Sequence, residues 1–128
     1  MLAAGCAAQD APIARLEGTS WQLAKIQGGD GTTRVPGEKS KYTFTFGADG
    51  VFTARIDCNR ARGAWRSSRP GRIEIGPQLA ITRAECPPGS LHDRVVKDLS
   101  FVRSYLVRSG HLFLSLMADA AVYELEPL

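Results

Sequence analysis

Apolar and polar positions alternate along most of the chain, most clearly at Tyr42-Thr43-Phe44-Thr45-Phe46. A period of two puts Tyr42, Phe44 and Phe46 on one face and the threonines on the other, as in a half-buried β-strand. Phe52, Ala54 and Ile56 form the apolar face of a return strand, reached through Ala48-Asp49-Gly50, where glycine supplies the positive φ of a hairpin turn. Residues 19–26 read as an earlier strand with Trp21 and Leu23 in the core. It is closed by Gly28-Gly29-Asp30-Gly31, and residues 32–40 read as a loop. Short strands are expected at 64–66 and 72–75, and Gly76-Pro77 is expected to break the chain before 79–83.

The period changes once. Leu91, Val95, Leu99 and Val102 recur at helical spacing, with His92, Asp93, Arg94, Lys97 and Asp98 on the polar side. This predicts an amphipathic helix over 91–101, opened by a capping box at Ser90-Leu91-His92-Asp93. Strands resume at 104–108, 111–116 and 122–125. About eight short strands and one helix predict an α+β, mainly β fold. The expected architecture is an antiparallel barrel-like sheet with the one major helix packed against it or plugging its end.

The 128 residues suit one domain, 44% of them hydrophobic and 23% charged. A chain of this length buries roughly two-thirds of its unfolded surface, enough for a core without a metal. A net charge of +3 is too mild for a nucleic-acid binder. The start, Met1-Leu2-Ala3-Ala4-Gly5-Cys6, reads like the end of a lipoprotein signal peptide, with Cys6 the lipidated residue. The basic and apolar stretches of a full signal are missing, so this reading starts the chain inside a longer precursor; the alternative is an Ala-rich tail that contains a cysteine. Residues 1–15 are accordingly assigned to a signal remnant and tether, and 16–128 to the domain.

Cys58 and Cys86 sit in short polar motifs, Ile56-Asp57-Cys58-Asn59-Arg60 and Thr82-Arg83-Ala84-Glu85-Cys86-Pro87, each after a run with strand character. Both thiols can then lie where strands meet loops, which suits a cross-link; two neighbouring reduced thiols are the alternative. No C-x-x-C spacing exists, and His92 and His111 form no ligand pattern with them, so no metal is expected. Asn59 and Arg83 either line a ligand pocket or brace loops, Asn59 bonding its own turn and Arg83 bonding carbonyls or Asp57. Arg55, Arg60, Arg62, Arg66, Arg69 and Arg72 crowd one region in which Asp57 is the only acid. They form either a solvated face or a surface for anionic lipid, lipopolysaccharide or an acidic peptide. The chain has no phosphate loop, paired acid/base carboxylates or Ser–His–Asp signature, so no catalytic residue and no cofactor are expected.

Taken in order, Gly18-Thr19-Ser20-Trp21-Gln22-Leu23, Phe46-x-x-Asp49-Gly50, Cys58-Asn59-Arg60 with Gly63 and Trp65, Ile75-Gly76-Pro77, and Thr82-Arg83-x-x-Cys86-Pro87 resemble the META domain family of HslJ-like heat-shock lipoproteins. The chain departs from the family pattern at Asp57, where glycine is usual, and at Ala84-Glu85, where Met-Ala is usual. Each change adds a carboxylate near the cysteines. The resemblance implies a small exported domain at the periplasmic face of the bacterial envelope, an outer-membrane lipoprotein. It further implies a monomeric, stress- or resistance-related, non-enzymatic binding module. The alternatives are a pilotin-like chaperone for lipid or peptide, and a thiol-dependent enzyme using the Cys58/Cys86 region.

Overall fold

A computed structural model of the chain describes residues 15–128; Cys6 and the tether assigned to 1–15 lie outside them, apart from Arg15. The strands are β1 (Thr19–Gly28), β2 (Thr33–Arg34), β3 (Tyr42–Phe46), β4 (Val51–Ile56), β5 (Asn59–Arg66), β6 (Glu74–Ile81), β7 (Val102–Arg108), β8 (His111–Leu116) and β9 (Ala121–Pro127). One α-helix among the described residues, α1 (His92–Leu99), lies between β6 and β7. All pairings are antiparallel, in the order β6-β5-β4-β3-β1-β9-β8-β7, with β2 added to β1. Residues just before β6 meet β7: Ile73 N–H donates to Arg103 O at 3.1 Å and Tyr105 N–H to Gly71 O at 2.9 Å. These bonds curl the sheet into a half-barrel.

The inward residues follow from the alternation. Phe44, Phe46, Phe52 and Trp65 interlock edge-on or tilted, with centroid distances of 5.3–5.6 Å. Each ring contributes roughly 1.5–3 kcal/mol by leaving water, and Trp65 satisfies its indole N–H on Gly47 O at 2.9 Å. Leu91, Val95 and Leu99 turn the apolar face of α1 onto this core, and Leu16 is buried with them.

The structure corrects the sequence reading in several places. Within 32–40, β2 returns along β1, because the turn after Gly28 is held by Thr32, whose N–H and hydroxyl both bond Asp30 Oδ1. The strand expected at 64–66 begins at Asn59, since a two-residue turn sends the chain straight back along β4. Gly76-Pro77 does not end a strand; β6 runs through it, and the pairing with β5 shifts register between Gly63 and Trp65. Gly63 is required there, because a Cβ would lie 2.6 Å from Gln78 O. Val102 belongs to β7, so the helix is shorter than expected. At its N-terminus Ser90 Oγ accepts from His92 N–H at 3.0 Å, as expected, but Asp93 pairs with His92 instead of completing the capping box, and Tyr42 Oη accepts from Leu91 N–H at 2.9 Å.

Asp98 is the largest departure. Helical spacing puts it on the polar side, yet it is only 5% exposed. Its Oδ2 accepts from Arg94 Nε and from the Tyr123 hydroxyl, each at 2.7 Å. The turn of helix that brings Arg94 beside it also leaves it facing β9. Burial, and then the bond to Asp98 and its charge, push the Tyr123 phenol far above its ordinary 10.0. A raised folded pKa means that stability is complete below about pH 10 and falls as pH rises beyond it. Tyr123→Phe should cost about 1.5–3 kcal/mol at neutral pH and flatten the alkaline fall. Urea unfolding of both proteins at pH 7 and pH 11 checks this. Parallel pH profiles would count against a buried Tyr123–Asp98 bond.

Candidate functional site

The Asp57-Cys58 turn joins β4 to β5 with Ile56 opposite Asn59. Asp57 has φ 56°, the left-handed conformation a tight hairpin needs and which glycine adopts freely. That is the physical reason glycine suits this position. Asp57 is held there by its N–H on Lys41 O at 2.7 Å, and its buried carboxylate accepts from the Tyr42 hydroxyl at 3.3 Å. The added carboxylate therefore faces inward, towards the start of α1.

Cys58 and Cys86 lie at disulfide distance, S–S 2.02 Å with Cα atoms 5.6 Å apart. Between them Asn59, 1% exposed, fastens the segment after β6. Its Nδ2 donates to Ala84 O at 2.8 Å, and its Oδ1 accepts from Ala84 N–H at 2.8 Å and from the Thr82 hydroxyl at 2.7 Å. Asn59 thus braces the opposing loop as well as its own turn, where Nδ2 also lies 3.5 Å from Cys58 Sγ. Arg83 is exposed and, among the described residues, forms no hydrogen bond or ion pair; it lines a cavity of about 450 Å³ with Glu85, Pro87 and His92.

The outward residues of β3 to β6 form the site with most recognition chemistry. Cross-strand pairing sets two rows. Thr43 faces Arg55, Arg55 faces Arg60, and Arg60 N–H bonds the Thr82 hydroxyl at 2.9 Å; in the next row Thr45 faces Thr53, Thr53 faces Arg62, and Arg62 faces Ala80. These side chains line a groove of about 590 Å³. Among the described residues no carboxylate pairs with Arg55, Arg60 or Arg62; Arg55 Nε donates to Asp57 O at 3.1 Å. The same row continues through Gln22 to Glu126. Glu126 is already bound by Lys39 at 3.0 Å and Gln22 at 2.9 Å, and those bonds, Lys39 first, hold its carboxyl below the usual range.

The arginine cluster therefore divides. Arg55, Arg60 and Arg62 converge on the groove. Arg66 is paired with Glu74 at 2.8 Å and lines a separate cavity of about 250 Å³ with Arg72. Arg69 lies beside Trp65, Tyr105 and Arg15, in a cavity of about 390 Å³. The threonines of the groove were missed, although alternation had already put Thr43 and Thr45 outside; what was missing was the pairing that sets them against Arg55 and Thr53. No group of three His, Cys, Asp or Glu side chains among the described residues is placed to hold a metal ion.

This architecture is that of a small, curled antiparallel sheet with one packed helix. The chain matches the META domain over residues 14–126 and belongs to that family. No curated protein matches it. It is similar in fold to the NMR structure of a protein from Burkholderia xenovorans, at 22% identity and TM-score 0.73, covering 88% of this chain and 83% of that one. It is also similar to a DUF4847 family protein from Bacteroides vulgatus ATCC 8482, at 15% identity and TM-score 0.61, covering 87% and 93%.

The loop closed by Cys58 and Cys86 has a sequence separation of 28, so reduction should cost about 3–4 kcal/mol on the chain-entropy account. Asn59→Ala should cost about 1–3 kcal/mol through the bonds lost at Ala84 and Thr82. Both act on one segment, so the two losses should not add. Urea unfolding with and without reductant measures them; a reduced protein as stable as the oxidised one would contradict the cross-link's role.

Proposed function

We propose that this chain is a non-enzymatic binding module of the bacterial envelope, tethered by a lipid on Cys6 at the periplasmic face of the outer membrane. It engages an anionic membrane surface through Arg55, Arg60 and Arg62. The observation that carries this reading is the direct opposition of Arg55 and Arg60 across β4 and β5 with no acid among the described residues paired to either. Opposed like charges destabilise a pair of strands, and an anion between them turns that repulsion into attraction. Guanidinium forks bind such anions bidentately. Membership of the META family and the lipoprotein-like start support the compartment. Cys58 and Cys86 at disulfide distance suit a structural cross-link, which fits a role other than thiol catalysis.

Co-sedimentation with phosphatidylcholine vesicles, with and without phosphatidylglycerol, tests this reading. Binding should require the anionic lipid and weaken at high salt, because screening shortens the reach of exposed charges to about 8 Å at physiological ionic strength. Each arginine near such a surface is worth about 1 kcal/mol, so Arg60→Gln with Arg62→Gln should lower partitioning on the order of tenfold or more. Replacing Arg66 and Arg69 should matter less. Equal sedimentation of wild type and the Arg60/Arg62 variant at both salts would refute membrane-surface binding by this groove.

A further inference from the structure

We infer that the group read by the groove is a phosphate monoester, an inference that rests on the anion-binding role proposed for Arg55, Arg60 and Arg62. The argument is one of donor count and charge. Arg55 and Arg60 stand directly opposite, roughly 5 Å apart at the sheet, and Arg62 lies two residues further along the same face, roughly 7 Å away. Three guanidinium groups can therefore converge on one group from two sides.

The hydroxyls divide by their bonding. Thr82 is committed to Asn59 and Arg60 N–H, and Thr45 to Ser20 at 2.9 Å. Thr43 and Thr53 have no side-chain hydrogen bond among the described residues, and they flank Arg55 and Arg62 in the two rows. The groove thus offers three cationic forks and two uncommitted hydroxyls. Among the described residues it presents no carboxylate of its own, and the next acid along the row, Glu126, is held by Lys39 and Gln22.

A single carboxylate, with two oxygens and one charge, is satisfied by one guanidinium fork. A phosphodiester likewise has one charge and two non-bridging oxygens. A phosphate monoester brings three terminal oxygens and a charge of about −1.5 to −2 near neutral pH. It alone of the three uses the third arginine and the hydroxyls together. The same chemistry is carried by a soluble phosphate ester and by a lipid headgroup ending in phosphate, so both sources enter the test.

The experiment is calorimetric titration of the full chain with glycerol phosphate, dimethyl phosphate and succinate at one ionic strength. In parallel, sedimentation is compared on vesicles containing phosphatidic acid or phosphatidylglycerol. Glycerol phosphate should bind at least about tenfold more tightly than the diester or the dicarboxylate, a difference of about 1.4 kcal/mol. Thr53→Val should weaken the monoester several-fold and leave the diester unchanged, and Arg60→Gln with Arg62→Gln should abolish the preference. Thermal unfolding confirms that these variants remain folded. Binding of the soluble monoester alone, or of phosphatidic acid vesicles more strongly than phosphatidylglycerol vesicles, supports the inference and names the source. Equal affinity for all three small anions, with phosphatidylglycerol vesicles still bound, overturns the monoester inference and leaves the anionic-surface reading standing. Monoester binding without any vesicle sedimentation overturns the surface reading alone, and no anion binding of any kind overturns both.

Discussion

The register between β4 and β5 is the constraint on which both the core and the site depend. Because side chains alternate with a period of two, a slip of one residue would turn Phe52, Ala54 and Ile56 to water and Arg55 to the core. A turn of only two residues, Asp57-Cys58, leaves one pairing open, Ile56 against Asn59. Three features hold that pairing from different directions. Asp57 accepts a left-handed φ of 56°, Cys58 is fastened to Cys86, and Asn59 bonds the segment that contains Cys86. Once the register is set, Ala61 and Trp65 fall inside with the phenylalanines, and Arg60 and Arg62 fall outside opposite Arg55 and Thr53.

The same turn links the sheet to the helix. Tyr42 gives its hydroxyl proton to Asp57 and accepts the N–H of Leu91, so one phenol joins β3, the turn and the entrance to α1. At the far end of α1, Asp98 receives Arg94 and Tyr123 and fixes the helix to β9. Buried polar groups with partners of this kind cost little and restrict how the helix can sit, whereas the same groups unpaired would be destabilising. The groove arginines, in contrast, have no ion-pair partners among the described residues. Buried polar bonds thus fix the helix beneath the sheet, while Arg55, Arg60 and Arg62 leave positive charge without an ion-pair partner on its outer face.

Much of this was legible in the chain because alternation is a direct record of which face is wet. Tyr42 to Phe46 and Phe52 to Ile56 are strong patterns of aromatic and aliphatic residues, and they fold as read. The first half of β5 was hidden because Asn59, Ala61 and Gly63 are small or polar on its inner face, and at Gly63 a side chain would collide with Gln78 and Leu79 of β6. Gly76-Pro77 resembled a break because proline cannot donate to a ladder, but it lies in the strand at one end of the ordered sheet, where only one neighbour needs bonds. Asp98 was misplaced because helical periodicity assigns a charged residue to water, and only the fold brings Tyr123 to it. The site was half legible for a related reason. Sequence proximity grouped all the arginines, whereas cross-strand pairing selects three of them and adds threonines from β3 and β4.

The central claim is that ligand recognition lies on the outer face of β3 to β6 and not inside the half-barrel. Amide chemical-shift mapping of the labelled protein during titration with a phosphate-bearing ligand tests it most directly. The account predicts that shifts concentrate at residues 43–45, 53–55, 60–62 and 80–82. Shifts centred instead on the interior residues Trp65 and Tyr105, or on the loop at 83–89, would contradict it.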